Sequence, residues 1–463
     1  MKPIHSKRAL FNKGAALGEL LLTPFNRFAS MEAAGGVLLV LLTAIALFWS
    51  NSDFAGSYEW LQHLRFEVRI GAYSLDKPLH FWINDGLMTF FFFMVGLEIK
   101  REVLVGELTS LRRASLPLFG ALGGMIAPAV IYYMLNAQTP SEQGWAIPMA
   151  TDIAFTLAAL TLLGSKAPHS LRIFVTALAI VDDIGAVVVI ATYYSSDLAI
   201  NYLFFASFFI VVLIFFNILG FRRPLPYIVV GSLVWWSVYM SGVHSTIAGI
   251  LVAFTIPARS RRDMPQFRDH LITMVDRLGR LDQSRDEPNI EENSQTVIRK
   301  IEDLCEDAQT PLQRMEQYLH PWVVYWIVPL FALANAGVSV QWGRMIDILT
   351  TPVSLGVTLG LLVGKQLGIF VACWVAIRMR FAMMPSDVTF SQIYGASILC
   401  GIGFTMSIFV ADLAFGASTN LDYAKISILV GSLLSFFTGL LVLSIASPTK
   451  TGLDEDEPDS IRK

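Results

Sequence analysis

The stretch ALAIVDDIGAVVVI, residues 177–190, sets two adjacent carboxylates, Asp182 and Asp183, in the middle of an otherwise apolar run. A run of this composition belongs in hydrocarbon, and the length of the chain around it can be tested for the same character. Only 15% of the 463 residues are charged and 54% are hydrophobic, against roughly 25% charged in soluble domains. This is the composition of a membrane protein.

A helix needs about 20 mostly apolar residues to cross a hydrocarbon core. On that basis the sequence predicts about twelve spans, at 31–50, 82–104, 114–136, 145–164, 170–194, 199–220, 225–240, 244–257, 319–339, 353–378, 391–416 and 424–446. The distribution of basic residues tests the count, because lysine and arginine gather on the cytoplasmic side. Of 34 such residues, 28 fall in or beside alternate connections starting from the N-terminus, five fall on the other side, and Lys365 lies inside a span. The alternation predicts an even number of spans with both termini cytoplasmic.

The organisation that follows is an N-terminal cytoplasmic arm (1–30), eight spans (31–257), a charged cytoplasmic insert (258–317), four spans (318–446) and a cytoplasmic tail (447–463). The arm carries Lys2, Lys7, Arg8, Lys13 and Arg27 but no cleavable signal pattern. In RFEVRIGAYSL, Phe66, Val68 and Ile70 alternate with Glu67 and Arg69, which predicts an extracytoplasmic β-hairpin at about 64–76. Its edge offers a pairing surface for a second subunit. In the insert, Phe267, Leu271, Val275, Leu278 and Leu281 recur at helical spacing, as do Val297, Ile301 and Leu304. Two amphipathic helices joined through the polar DQSRDEPNIEENS are expected there.

Some functions are excluded early. The net charge of -3 and the dispersed basic residues give no nucleic-acid surface. Cys305, Cys373 and Cys400 form no spaced pair, so neither a disulfide framework nor a metal knuckle is expected, and no cofactor motif is present.

Ionisable residues well inside the predicted spans concentrate in three places: Asp152 in WAIPMATDIAF, Asp182 and Asp183 in AIVDDIGA, and Lys365 in LLVGKQLGI. Four such residues cost on the order of 10 to 14 kcal/mol before pairing, which marks a functional site. A salt bridge that merely locks two helices is a poor reason to keep them, since apolar replacement of such a pair is often neutral or stabilising. One lysine also cannot neutralise three carboxylates, so at least one is left to bind a proton or a cation. Adjacent helix positions point about 100° apart, so Asp182 and Asp183 must have different neighbours. Pro148 and Thr151 near Asp152, and Gly401, Gly403 and Thr405 in LCGIGFTMSIF, mark two segments where a helix can unwind near mid-membrane. Unwinding would free backbone carbonyls and leave helix ends for Asp152 to balance; close packing at the glycines is the alternative for the second segment.

The chain resembles the NhaA-type sodium/proton antiporters through WINDGLMTFFFFMVGLEIKRE, GWAIPMATDIAFTL, ALAIVDDIGAVVVI, SGVHSTIAGI, PLFALANAGVSV, LLVGKQLGI and CGIGFTMSIFVADLAFG, which occur in family order across nearly all the membrane part. The resemblance implies an all-α polytopic fold with two inverted-topology repeats and discontinuous crossing helices, a design for which this family is a standing example. It implies a transporter rather than an enzyme, in the bacterial inner membrane, exporting Na+ and also Li+ in exchange for H+, electrogenic and regulated by pH. Asp183 is then the shared sodium and proton site, Asp182 the partner of Lys365, and Thr151 and Asp152 further sodium ligands at the unwound crossing. Glu98, Arg101, Glu102, Glu316 and His320 match a cytoplasmic cluster linked to pH activation, His244 matches a histidine that tunes the pH profile, and the hairpin matches a homodimer contact. The chain departs from the pattern in the length of the insert before Glu316, in Gln317, where a histidine is familiar, and in Asp412, an added carboxylate.

Three other functions remain to be separated from antiport. An intramembrane aspartyl protease wants two carboxylates facing each other from different segments, which Asp182 and Asp183 cannot do but Asp152 with Asp183 could. A sodium-coupled symporter needs a second substrate, and a cation channel needs no proton exchange.

Overall fold

The computed structural model describes residues 34–70, 73–195, 198–259, 264–283 and 290–446. The expected arm at 1–30 and tail at 447–463 lie outside the described residues. Within the described residues, each of the twelve segments predicted to span contains helix, with interruptions.

In chain order, α1 (Ala34–Ser50) is followed at a 111° bend by α2 (Ala55–His63). The hairpin β1 (Arg65–Ile70) and β2 (Tyr73–Pro78) leads into α3 (Leu79–Leu104) and α4 (Leu111–Asn136). A 3-10 segment, α5 (Glu142–Met149), and α6 (Ile153–Leu162) share one predicted span, and α7 (His169–Tyr193) carries the aspartate pair. Then come α8 (Ile200–Ile218), α9 (Pro224–Met240), α10 (Ile247–Thr255), and the insert helices α11 (Met264–Gln283) and α12 (Ile290–Ala308). The chain closes with α13 (Pro311–Trp322), α14 (Val328–Asn335), α15 (Pro352–Arg378), α16 (Phe390–Leu399), α17 (Phe404–Phe415) and α18 (Thr419–Ala446). Among the described residues, seven helices are long and apolar enough to cross a membrane alone, and up to nine spans result if each bent pair is counted as one. The remaining predicted spans fall short because they are brief, as α9 and α10 are, or built in pieces, as 319–339 is.

The fold divides into two compact units. One comprises, among described residues, 34–63, 110–186 and 329–446; the other comprises 64–109 and 187–328. In the first unit, α15 packs along α4 closely enough that a Cβ at Gly123 would meet the carbonyl oxygen of Gly368, and one at Gly368 would meet that of Gly123. Without side chains at these two positions the backbones approach as small-residue membrane contacts do. In the second unit, Leu97, Leu213, Tyr227, Val234, Val252 and Leu312 form a buried cluster from α3, α8, α9, α10 and α13.

The hairpin runs two residues past its expected end, pairing Arg65 with Pro78 and Val68 with Leu75. That register sets Glu67 opposite Asp76, a like-charge pair that would repel. Arg65 lies 2.8 Å from Asp76 and Arg69 2.7 Å from Glu67, so each acid is matched by its own cation.

Two details of the insert differ from the sequence reading. Val275 is exposed, and Met274 is partly shielded instead, because the shielded positions Leu271, Met274 and Leu278 step by three and four. The helix carrying Glu316 and His320 begins at Pro311, eight residues before the predicted span at 319, because a capping box starts it. Thr310 Oγ1 accepts from Gln313 N at 3.1 Å, and Gln313 reaches back to the Thr310 backbone.

Candidate functional site

The candidate site lies in the first unit, where the two interrupted helices meet. Between α5 and α6 the chain is extended through Ala150 to Asp152, and between α16 and α17 helix is lost around Gly401 and Ile402. The freed backbone groups bond across the gap instead of to water. Asp152 N donates to Ile402 O at 2.7 Å, Thr151 Oγ1 to Cys400 O at 3.0 Å, and Ser407 Oγ to Ile147 O at 2.8 Å. A mid-membrane break is tolerated only where such partners exist.

Asp152 ties the two broken segments together through both carboxyl oxygens. Its Oδ1 accepts from Phe155 N at 3.0 Å, which caps α6. Its Oδ2 accepts from Thr405 Oγ1 at 2.5 Å and from Thr405 N at 3.2 Å, in the first turn of α17. One carboxylate therefore serves two helix N-termini, where backbone N–H groups and helix dipoles favour an anion. Thr405 was noticed in the sequence only as part of a break; its hydroxyl partner was not legible because Asp152 is 253 positions away.

Lys365 reaches the site from α15. A wide turn at Gly360–Gly364 immediately precedes it, and π-type turns of this kind recur at functional positions. The turn is pressed against neighbours: a Cβ at Gly360 would meet Pro148 and one at Gly364 would meet Pro128. Lys365 is fully buried, and its Nζ lies 2.5 Å from Asp182 Oδ2 while donating to Thr151 Oγ1 at 2.8 Å. The chain of bonds from Asp182 through Lys365 and Thr151 to the Cys400 carbonyl thus joins α7, α15 and both broken segments.

Asp182 and Asp183 are each 1% exposed, so α7 is enclosed at this level despite carrying two acids. They point in different directions, as helix geometry requires. Asp182 Oδ1 is buried with no hydrogen-bond partner among the described residues. A buried carboxylate oxygen in that condition is costly unless a proton or cation completes it.

The second unit holds the other candidates, and it does not bring them all together. Arg101 Nη1 lies 2.7 Å from Glu316 Oε1 and its Nη2 lies 3.0 Å from Glu102 Oε1. Glu98 and His320 are within electrostatic reach of Arg101. Burial pushes Glu316 above the usual carboxylate range, with Arg101 opposing the shift. His244 is not bonded into this cluster. Its Nε2 lies 3.7 Å from Asp85 Oδ1, which also accepts from Ser245 Oγ at 2.6 Å. The sequence reading passed over Asp85, although an acid in WINDGL beside the start of a long apolar run was a usable signal.

Residues 26–443 match the family model described as Na+/H+ antiporter 1. The chain is 48% identical over 425 residues to the Na(+)/H(+) antiporter NhaA of Koribacter versatilis, covering 92% of each chain. It is 46% identical over 438 residues to that of Oleidesulfovibrio alaskensis, covering 92% of this chain and 94% of the relative. Against the NhaA of Salmonella arizonae the figure is 44% over 418 residues, covering 89% and 96%. With a multi-pass helical architecture and a family match along nearly its whole length, the chain belongs to the NhaA family of Na+/H+ antiporters.

Proposed function

We propose that this protein exports Na+ in exchange for H+ across the bacterial inner membrane, using Asp183 as the shared ion and proton site beside the Asp182–Lys365 pair. The observation that carries the reading is the burial of two adjacent acids beside one fully buried ammonium: Lys365 lies 2.5 Å from Asp182 Oδ2, and Asp182 Oδ1 has no hydrogen-bond partner among the described residues. Sodium is a hard cation suited to oxygen donors, so Asp183, Asp182 Oδ1, Thr151 and freed carbonyls form its ligand set. Asp152 commits both oxygens to helix ends; it contributes fixed negative charge at the crossing, which favours a cation nearby. That commitment also removes Asp152 as half of a proton-sharing protease dyad.

Exchange follows from competition. Buried acids need a balancing proton or cation, so Na+ arriving from the cytoplasm displaces protons, and protons arriving from outside displace Na+. When Na+ draws Asp182 away from Lys365, the stranded ammonium releases its own proton. More protons then enter than sodium ions leave, which makes the cycle electrogenic. Li+, smaller and equally hard, shares the site. The crossing helices belong to two inverted repeats, so access alternates around a site fixed between them.

Further assignments follow the same reading. Both termini and the insert 258–317 are cytoplasmic, with the arm at 1–30 and the tail at 447–463. Glu98, Arg101, Glu102, Glu316 and His320 form the pH-responsive cluster, and His244 tunes it from its own position beside Asp85. The hairpin mediates a homodimer, so its deletion converts the detergent-solubilised dimer to monomer. The central test uses inverted vesicles carrying a pH dye. Added Na+ discharges an acid-inside gradient in the wild type, and Asp183→Asn abolishes the response; a wild type that ignores Na+ across the alkaline range overturns antiport. A requirement for an organic co-substrate would instead indicate a symporter, and Na+ current without proton movement a channel.

A further inference from the structure

In the second unit, α3 and α9 both pack on α10, and the space between them is a groove of about 510 Å³. Phe90 and Phe93 wall it on α3, Ile228 and Trp235 on α9, and Ala248 and Gly249 floor it on α10. A Cβ at Gly249 would meet Thr89 O, so the floor lies directly against the α3 backbone. Phe90 is 49% exposed and Ile228 52%. Both stand in apolar helices of a membrane protein, so the groove opens into hydrocarbon, where an apolar gap forfeits dispersion contacts unless an apolar group fills it.

The hairpin end of the groove has a different character. Trp82 and Trp235 line it there, with Trp82 Nε1 donating to Phe66 O at 3.1 Å and Trp235 Nε1 to Asp85 O at 3.3 Å. Lys77 stands just beyond them, half-buried, its Nζ 5.4 Å from the centre of the Phe81 ring and 5.7 Å from that of Tyr239. Phe81 meets Trp82 edge-on and Tyr239 stacks on Trp235, each at 6.0 Å, so the ammonium is one ring removed from each lining indole. Glu67 and Asp76 of the hairpin are taken by Arg69 and Arg65, and no carboxylate among the described residues pairs with Lys77. Tryptophan, tyrosine and lysine at the end of a span mark the level of lipid headgroups.

Shape selects the occupant. Leu79 and Phe93, both on the lining, are separated by about 21 Å along α3. Spread over that length, the volume is a channel about 5 to 6 Å across, too narrow for a helix about 10 Å wide from a second copy. It suits a hydrocarbon chain, which is little more than one carbon contact, about 4 Å, across. We propose that this groove is a phospholipid site: one acyl chain lies between α3 and α9 over the α10 floor, and Lys77 holds the lipid phosphate at the hairpin end. The inference needs only a membrane-spanning chain and stands apart from the antiport reading.

The test is intact-mass spectrometry and thermal melting of the delipidated full chain in detergent, titrated with phosphatidylglycerol. The wild type gains one tightly held lipid and a higher melting temperature. Gly86 lines the groove and a Cβ there meets only Trp82 at 3.7 Å, so Gly86→Leu fills the channel from α3, and Ser232→Phe fills it from α9. Each loses that lipid and its melting increment, the second serving where the first fails to fold. Lys77→Gln weakens binding about fivefold, the worth of one lysine near an anionic headgroup, whereas diacylglycerol with the same chains binds wild type and Lys77→Gln alike. Blocked variants that keep the lipid overturn the inference, as does wild-type affinity in Lys77→Gln or inorganic phosphate alone reproducing the melting shift. A blocked variant that turns from dimer to monomer while retaining the lipid assigns the groove to a second copy and overturns it too.

Discussion

Lys365→Ala tests the centre of the site. The ammonium is fully buried, holds Asp182 Oδ2 at 2.5 Å and donates to Thr151 Oγ1 at 2.8 Å. Truncation leaves Asp182 as a buried carboxylate whose Oδ1 already has no hydrogen-bond partner among the described residues. Breaking a buried ion pair on one side costs about 3 to 5 kcal/mol, and the lost bond to Thr151 falls within that range. Replacing both partners, as in Asp182→Asn with Lys365→Met, leaves no stranded charge and recovers most of the loss. Thermal melting followed by the loss of monodisperse protein reads the order directly: Lys365→Ala lowest, the double variant close to wild type. The proton cycle makes a second, independent demand. If Lys365 supplies the extra proton, an imposed membrane potential that accelerates wild-type exchange in proteoliposomes no longer accelerates whatever exchange Lys365→Ala retains. A Lys365→Ala protein that melts with the wild type, or keeps its voltage dependence, refutes the reasoning.

Thr405→Val removes a charge-assisted bond to Asp152 worth about 1.5 to 3 kcal/mol and leaves Asp152 held by backbone N–H groups; the apparent Na+ affinity falls at least tenfold in vesicle assays, while Thr405→Ser stays near wild type. Gly368→Ala drives a methyl into the Gly123 carbonyl and moves the helix that carries Lys365, so melting temperature and exchange rate fall together, whereas Gly279→Ala on the insert, where a Cβ meets nothing, changes neither. Glu316 is pushed upward by burial against the pull of Arg101, so the folded protein holds this proton more tightly than the unfolded chain. Its stabilisation is complete below the unfolded value and fades as pH rises through the folded one; Glu316→Gln flattens that decline in melting temperature, and an unaltered decline counts against the assignment.

What was readable in the sequence follows physical range. Helix positions were legible because a long apolar run declares its own element, whatever its neighbours. The breaks were legible where Pro148, Gly401 and Gly403 weaken helix locally. The start of α13 was missed because its signal, Thr310 with Gln313, is a cap hidden in a charged insert, where an apolar scan has nothing to register.

Partnerships were a different matter. Thr151 meets Cys400 across 249 positions and Ser245 meets Asp85 across 160, and a side chain's own sequence neighbourhood says nothing about which distant group will satisfy it. The cost of burial says only that some group must. For Asp152 the sequence anticipated a balance of helix ends at the crossing, and the fold supplies the partners, Phe155 N on one oxygen and Thr405 on the other. The same logic separates the adjacent pair. Sequence shows that Asp182 and Asp183 cannot share one neighbour, but only the fold, which brings Lys365 from 183 positions away, says that Asp182 is the acid it pairs with.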